Sequence, residues 1–105
     1  MIWCPFGDVP SARAVIAQLL DEKLVACGNI LPGLTSLFVW NGESGEEREC
    51  GVLLKTTAAL LDPAMQRLED LHPYDQPAIG GWTVRTSQST SAWLEAETGG
   101  EAGGS

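Results

Sequence analysis

Apolar positions along this chain follow two periods, and the switch between them marks its elements. Met1 to Phe6 is a short apolar run and is expected to be a strand, which Gly7 breaks. Asp8 can cap a helix and Pro10 is tolerated in its first turn. Ala12, Val15, Ile16, Leu19 and Leu20 then follow the i, i+3, i+4, i+7, i+8 rule, with Arg13, Gln18, Asp21 and Glu22 on the opposite side. Leu24 and Val25 lead out of this helix, and a strand begins at Ala26 to Leu31. Pro32-Gly33 interrupts it, which predicts a bulge or bend. Asp62-Pro63 signals a second helix, with Asp as N-cap and Pro at its first position. Leu61, Met65, Leu68 and Leu71 line its apolar face, while Gln66, Arg67, Glu69 and Asp70 stay in water. His72-Pro73 ends it, because a residue before proline is pushed out of the helical region. Tyr74 to Pro77 reads as a turn, and Ala78 to Val84 as a last strand weakened by Gly80-Gly81. Thr86 to Ser91 is a polar linker. Ala92 to Glu97, carrying Trp93 and Leu94, is a short C-terminal helix. From Thr98 onward nothing is available to bury, so a disordered tail is expected. The order β-α-β-β-α-β predicts an α+β, ferredoxin-like fold of one domain over residues 1–97, with a tail at 98–105 and no internal repeat.

The stretch Asn29 to Thr57 dominates this plan. Its first arm holds Leu34, Thr35, Leu37, Phe38, Val39 and Trp40, and its second ends in Val52 to Thr57. NGESGEE lies between them as a polar tip. It predicts a long hairpin of the second and third strands. Leu37 and Val39 point one way and Phe38 and Trp40 the other, so both faces need cover. An arm of about ten to thirteen residues spans roughly 33–43 Å, whereas a compact domain of this length has a radius of gyration near ~13 Å. Such a ribbon overhangs its own domain, and its open edges invite another chain. Leu37, Phe38, Val39 and Trp40 are therefore expected at a subunit interface. The alternative is a shorter hairpin folded back over its own body.

Composition narrows the function classes. With 105 residues there is room for one core, and no apolar run approaches a membrane span. The start lacks a basic, cleavable leader, which points to a cytoplasmic protein. A net charge of −8 opposes nucleic acid and anionic membranes. Cys4, Cys27 and Cys50 fit no C-x-x-C pattern and read as free thiols.

Few residues suggest chemistry. One histidine and no nucleophile-elbow, dinucleotide or Walker motif argue against an enzyme. Cys4 and His72 would make a soft sulfur–nitrogen pair for copper or zinc if the fold joins them. The competing reading is a packed thiol and a helix-terminal histidine bonded to a carbonyl. Glu46, Glu47 and Glu49 form an acidic patch near the hairpin tip, suited to a hard cation or simply solvated. Lys55 is an unusual cation among apolar and β-branched neighbours. With Trp40, Tyr74 and Trp93 it is a candidate lining for an intersubunit cleft that takes a small anionic or zwitterionic metabolite.

The blocks EKLVACGNILPGLTSLFVWNGE (Glu22–Glu43), LLKTT (Leu53–Thr57) and HPYDQP (His72–Pro77), with the late Trp93, resemble the CutA divalent-cation tolerance family. The resemblance spans about the first 97 residues. It implies a ferredoxin-like fold and a homotrimer whose hairpins cross neighbouring subunits. It also implies a non-enzymatic link to copper and other divalent cations, no required cofactor, and an architecture like that of PII signalling trimers. The metal set proposed for the family uses the first-strand Cys, a His before HPY and a Glu after its Pro. Here only Cys4 matches: Leu71 stands in the His position and Ala78 in the Glu position. The family's Tyr before the terminal Trp is also missing near Thr90–Ala92.

Overall fold

The computed structural model describes residues 1–99. Strand β1 (Ile2–Phe6) is followed by helix α1 (Val9–Asp21), β2 (Cys27–Trp40) and β3 (Glu43–Lys55). A single 3-10 turn at Ala58–Leu60 leads into α2 (Leu61–Leu71), β4 (Gly80–Gly81) and α3 (Gln88–Thr98). The sheet runs β2-β3-β1-β4 with every pair antiparallel, the expected ferredoxin-like order. Ile2, Cys4 and Phe6 face Leu54, Val52 and Cys50 across the β1–β3 ladder. All six are buried in one core with Val15, Ile16 and Leu19 of α1 and Ala64 and Leu68 of α2. The sheet's other face is half-open: Trp3, Pro5, Leu53 and Lys55 keep partial exposure.

Local chemistry explains the boundaries. The Asp8 carboxylate accepts from the Ser11 N–H at 2.7 Å, capping α1. That helix stops without glycine. Lys23 takes φ 60°, its N–H donates to the Leu20 carbonyl and that of Leu24 to Leu19, which is the Schellman closure. Arg67 then joins the two helices, donating from two nitrogens to the Glu22 carboxylate at 2.8 Å each.

The hairpin is longer and plainer than expected. Its arms have 14 and 13 residues. Asn41 (φ 53°) and Gly42 (φ 78°) alone make the turn, as in a two-residue type I′ connection matching the strand twist. Glu43 to Glu47, expected in the tip, is therefore strand, paired with Trp40 to Ser36. Glu46, Glu47 and Glu49 lie along the second arm, opposite Leu37, Ser36 and Leu34. The bulge expected at Pro32-Gly33 is present as a register shift between Leu31 and Leu34. Beyond it the ribbon leaves the globule: the described chain measures 49 × 24 × 23 Å. Leu37 is 74% and Val39 71% exposed, and Phe38 and Trp40 are exposed on the other face.

Three boundaries differ from expectation. Helix α2 starts at Leu61 behind the 3-10 turn, so Asp62 and Pro63 sit inside its first turn rather than at its cap. The last strand shrinks to Gly80 and Gly81, paired with Trp3 and Ile2. A Cβ on Gly81 would come within 2.5 Å of Met65 Sδ, so glycine is what lets α2 lie against this edge. Helix α3 begins at Gln88, because the Ser87 hydroxyl caps it by accepting from the Thr90 N–H at 3.3 Å. It runs through Thr98, which is buried, and Gly99 closes it at φ 71°. Of the tail expected to be disordered, residues 100–105 lie outside the described residues.

Candidate functional site

At the C-terminal end of β1, the turn after α2 folds back across the strand. His72 stacks on Phe6, with ring centroids 4.0 Å apart, and its Nε2 is 2.9 Å from the Pro5 carbonyl. Nδ1 accepts from the Tyr74 N–H at 3.1 Å. That acceptor role leaves the proton on Nε2, which donates to Pro5. Cys4 Sγ lies 3.5 Å from the same carbonyl. The Tyr74 hydroxyl donates to Glu49 Oε2 at 2.6 Å, tying this corner to the root of the hairpin.

The fold thus brings Cys4 and His72 together, as the metal reading required, yet it spends both of them. Burial, and then the charge of Glu49, push the Cys4 thiol up to about 12, so it stays protonated. Burial also lowers the pKa of His72, outweighing the Pro5 carbonyl and Glu49, which favour the charged form. A neutral imidazole has one lone pair to offer a metal, and here the Tyr74 backbone takes it. Leu71 and Ala78 add no donor at the two positions where the family's proposed ligands stand. Among the described residues, no group of three His, Cys, Asp or Glu side chains is placed to hold a metal ion. Within one chain, Cys4 and His72 are thus the two candidate donors at this corner, and both are engaged in hydrogen bonds.

The second candidate site lies at the other end of the sheet. The Thr56 hydroxyl donates to the Leu24 carbonyl at 2.7 Å, and the Ala26 N–H donates to Lys55 O at 2.9 Å. These bonds fix the end of β3, and with it Lys55. Trp82 is fixed by backbone bonds to Met1 in both directions, at 2.9 and 3.0 Å. Between the end of β3, the segment from Trp82 to Thr86 that follows β4 and the first turns of α3 lies a cavity of about 490 Å³. Lys55, Arg85, Trp82, Trp93 and Glu95 are among its lining residues, with the hydroxyls of Thr90 and Ser91.

Of the four residues expected in one cleft, a single chain therefore unites Lys55 and Trp93. Trp40 sits at the hairpin tip, twelve positions along β3 from Lys55 by its pairing with Glu43, or about 40 Å. Tyr74 belongs to the histidine corner, with its hydroxyl on Glu49. Trp82 and Arg85 escaped the sequence reading because they fell within or just after an expected strand. The available signal was a cation next to two hydroxyl residues in a chain that has only six Lys and Arg.

The comparisons with known proteins agree on what this architecture is. The family model described as CutA1 divalent ion tolerance protein matches residues 1–97. The chain is 39% identical over 100 residues to a divalent-cation tolerance protein CutA of Thermus thermophilus, covering 94% of this chain and 95% of that one. Among solved structures, the Thermus thermophilus divalent cation tolerance protein superposes with a TM-score of 0.86 at 34% identity, over 93% and 96% of the two chains. The CutA1 divalent ion tolerance protein of Ehrlichia chaffeensis gives 0.85 at 32% identity, over 92% of each. With the match spanning every element from β1 into α3, the chain belongs to the CutA1 divalent ion tolerance protein family.

Proposed function

We propose that this protein acts in divalent-cation tolerance as a non-enzymatic homotrimer, without coordinating copper through Cys4 and His72. The observation that carries the tolerance role is the family match over residues 1–97. Relatives at 39% and 38% identity bear the same name, and it describes a tolerance and not a reaction. Support for self-association comes from the overhanging ribbon, with Leu37 and Val39 more than two-thirds exposed on one face and Phe38 and Trp40 on the other. Water-exposed apolar ribbons with open edges are stabilised by pairing with another chain. The number three rests on the family resemblance. Three free cysteines suit a reducing compartment, which supports a cytoplasmic location.

Two measurements test this reading. Expression of the chain in a bacterium lacking its own CutA is expected to restore growth in elevated copper; no restoration removes the tolerance role. Copper calorimetry on the protein and on Cys4→Ser is expected to give superimposable titrations. A stoichiometric site lost in Cys4→Ser would show that the thiol ionises for metal after all.

A second reading, that the trimer senses a small molecule as PII-like proteins do, is favoured by one specific observation. The cavity at Lys55 and Trp93 lies within the roughly 300–1,000 Å³ typical of ligand sites and combines charge with aromatic walls.

A further inference from the structure

The cavity's lining says what kind of molecule it suits. Lys55 and Arg85 both face it, yet neither has a salt-bridge partner among the described residues, where the one such pair joins Arg67 to Glu22. In a chain of net charge −8 with six Lys and Arg in all, two unpaired cations on one cavity form a local reversal of the protein's charge. Glu95 is the carboxylate among the lining residues. Met1, whose terminal ammonium donates to the Trp82 carbonyl, lines the cavity as well, so cations outnumber the one carboxylate and the lining suits an anionic group. Its apolar lining includes Leu61, Val84 and Leu94, and its aromatic members are Trp82 and Trp93, each partly exposed. Large aromatic faces favour a planar ring in offset or edge contact.

We infer that this cavity binds a small aromatic carboxylate, its carboxylate held by Lys55 and Arg85 and its ring against Trp82 and Trp93. The inference rests on the small-molecule reading and adds the ligand class to it. A simple aromatic acid and an aromatic amino acid share this chemistry. Glu95 separates them, because it would pair with the ammonium of the amino acid and oppose nothing in the simple acid's ring.

The full chain is titrated by calorimetry with indole-3-acetate and L-tryptophan, with indole and acetate as the two halves, and with adenosine monophosphate. Saturable binding of indole-3-acetate or L-tryptophan, absent for the halves at the same concentration, is expected. Lys55→Met and Arg85→Met are each expected to weaken it about tenfold, as for loss of a charged hydrogen bond. Glu95→Gln weakening L-tryptophan but not indole-3-acetate identifies the amino acid as the source. Equal effects on both identify the simple acid. Circular dichroism and sedimentation of each variant must match the unmodified protein. If sedimentation changes, the cations belong to a subunit contact and the inference falls. Binding that survives both cation substitutions places the ligand elsewhere and overturns it. Binding by adenosine monophosphate alone overturns the carboxylate assignment and leaves the small-molecule reading standing. Binding by none of the five overturns the assignment as well, and a wider thermal-shift screen then decides the small-molecule reading separately.

Discussion

His72 spends both ring nitrogens on backbone atoms, Nε2 on the Pro5 carbonyl and Nδ1 on the Tyr74 N–H. Protonation would put a hydrogen on Nδ1, facing the N–H it now accepts from. The folded pKa is accordingly depressed below the ordinary 6.5 by burial. A depressed histidine binds its proton more readily in the unfolded chain. Its stabilising contribution is therefore complete above about pH 6.5 and is lost as the pH falls below it. Thermal midpoints between pH 7 and 5 are expected to decline in the unmodified protein and to decline less in His72→Asn. That variant keeps a donor and an acceptor but cannot titrate, and parallel curves would rule the histidine out as the cause. Packing is tight at single atoms too. A Cβ on Gly28 would lie 2.7 Å from Ile16 Cγ2, where α1 crosses β2. Gly28→Ala is expected to cost about 1–3 kcal/mol by overpacking, measured by denaturant unfolding. Neither feature was legible from residue types. The sequence marked His72 as a helix terminator and weighed a carbonyl bond against a metal. Only the fold shows that Pro5, 67 positions away, supplies that carbonyl.

Elements with strong periodicity were legible, and those set by a single polar atom were not. The α1 face of Ala12, Val15, Ile16 and Leu19 is buried as its spacing predicts. Leu20, expected on that face, is exposed at 42% because it falls at the rim. The start of α3 hid inside a polar linker, since Ser87 differs from its serine and threonine neighbours only in becoming the cap. Ser87→Ala is expected to destabilise the protein by about 1 kcal/mol and to fray the first turn, where Thr90 and Ser91 line the cavity. Hydrogen exchange at the Thr90 amide is the direct readout. The hairpin tip misled in the opposite sense: a glycine- and glutamate-rich stretch looks like a loop. Asn41-Gly42 suffices to turn, and Gly45 is a strand residue covered by Phe38, whose ring would lie 2.6 Å from an added Cβ.

At the scale of the molecule, the described chain is twice as long as it is wide, and the excess is ribbon. Its radius of gyration is 14.6 Å, above the ~13 Å of a compact domain of this length. Assembly through that ribbon predicts that Leu37→Lys with Val39→Lys, two exposed positions with no core contact to lose, converts the oligomer to monomer in sedimentation velocity. An unchanged sedimentation coefficient would place the subunit contact elsewhere. The sequence by itself determined the element order, the two amphipathic helices, the bulge and the overhang, because each follows from local periodicity, proline and glycine chemistry, or chain length. The tertiary structure alone decided that Cys4 and His72 meet at one carbonyl, with the imidazole lone pair taken by the Tyr74 N–H. It also gathered Lys55, Trp82, Arg85 and Trp93, up to 38 positions apart in the chain, around one cavity. Such meetings depend on register and crossing angle, which packing of the whole chain fixes and no stretch of it encodes.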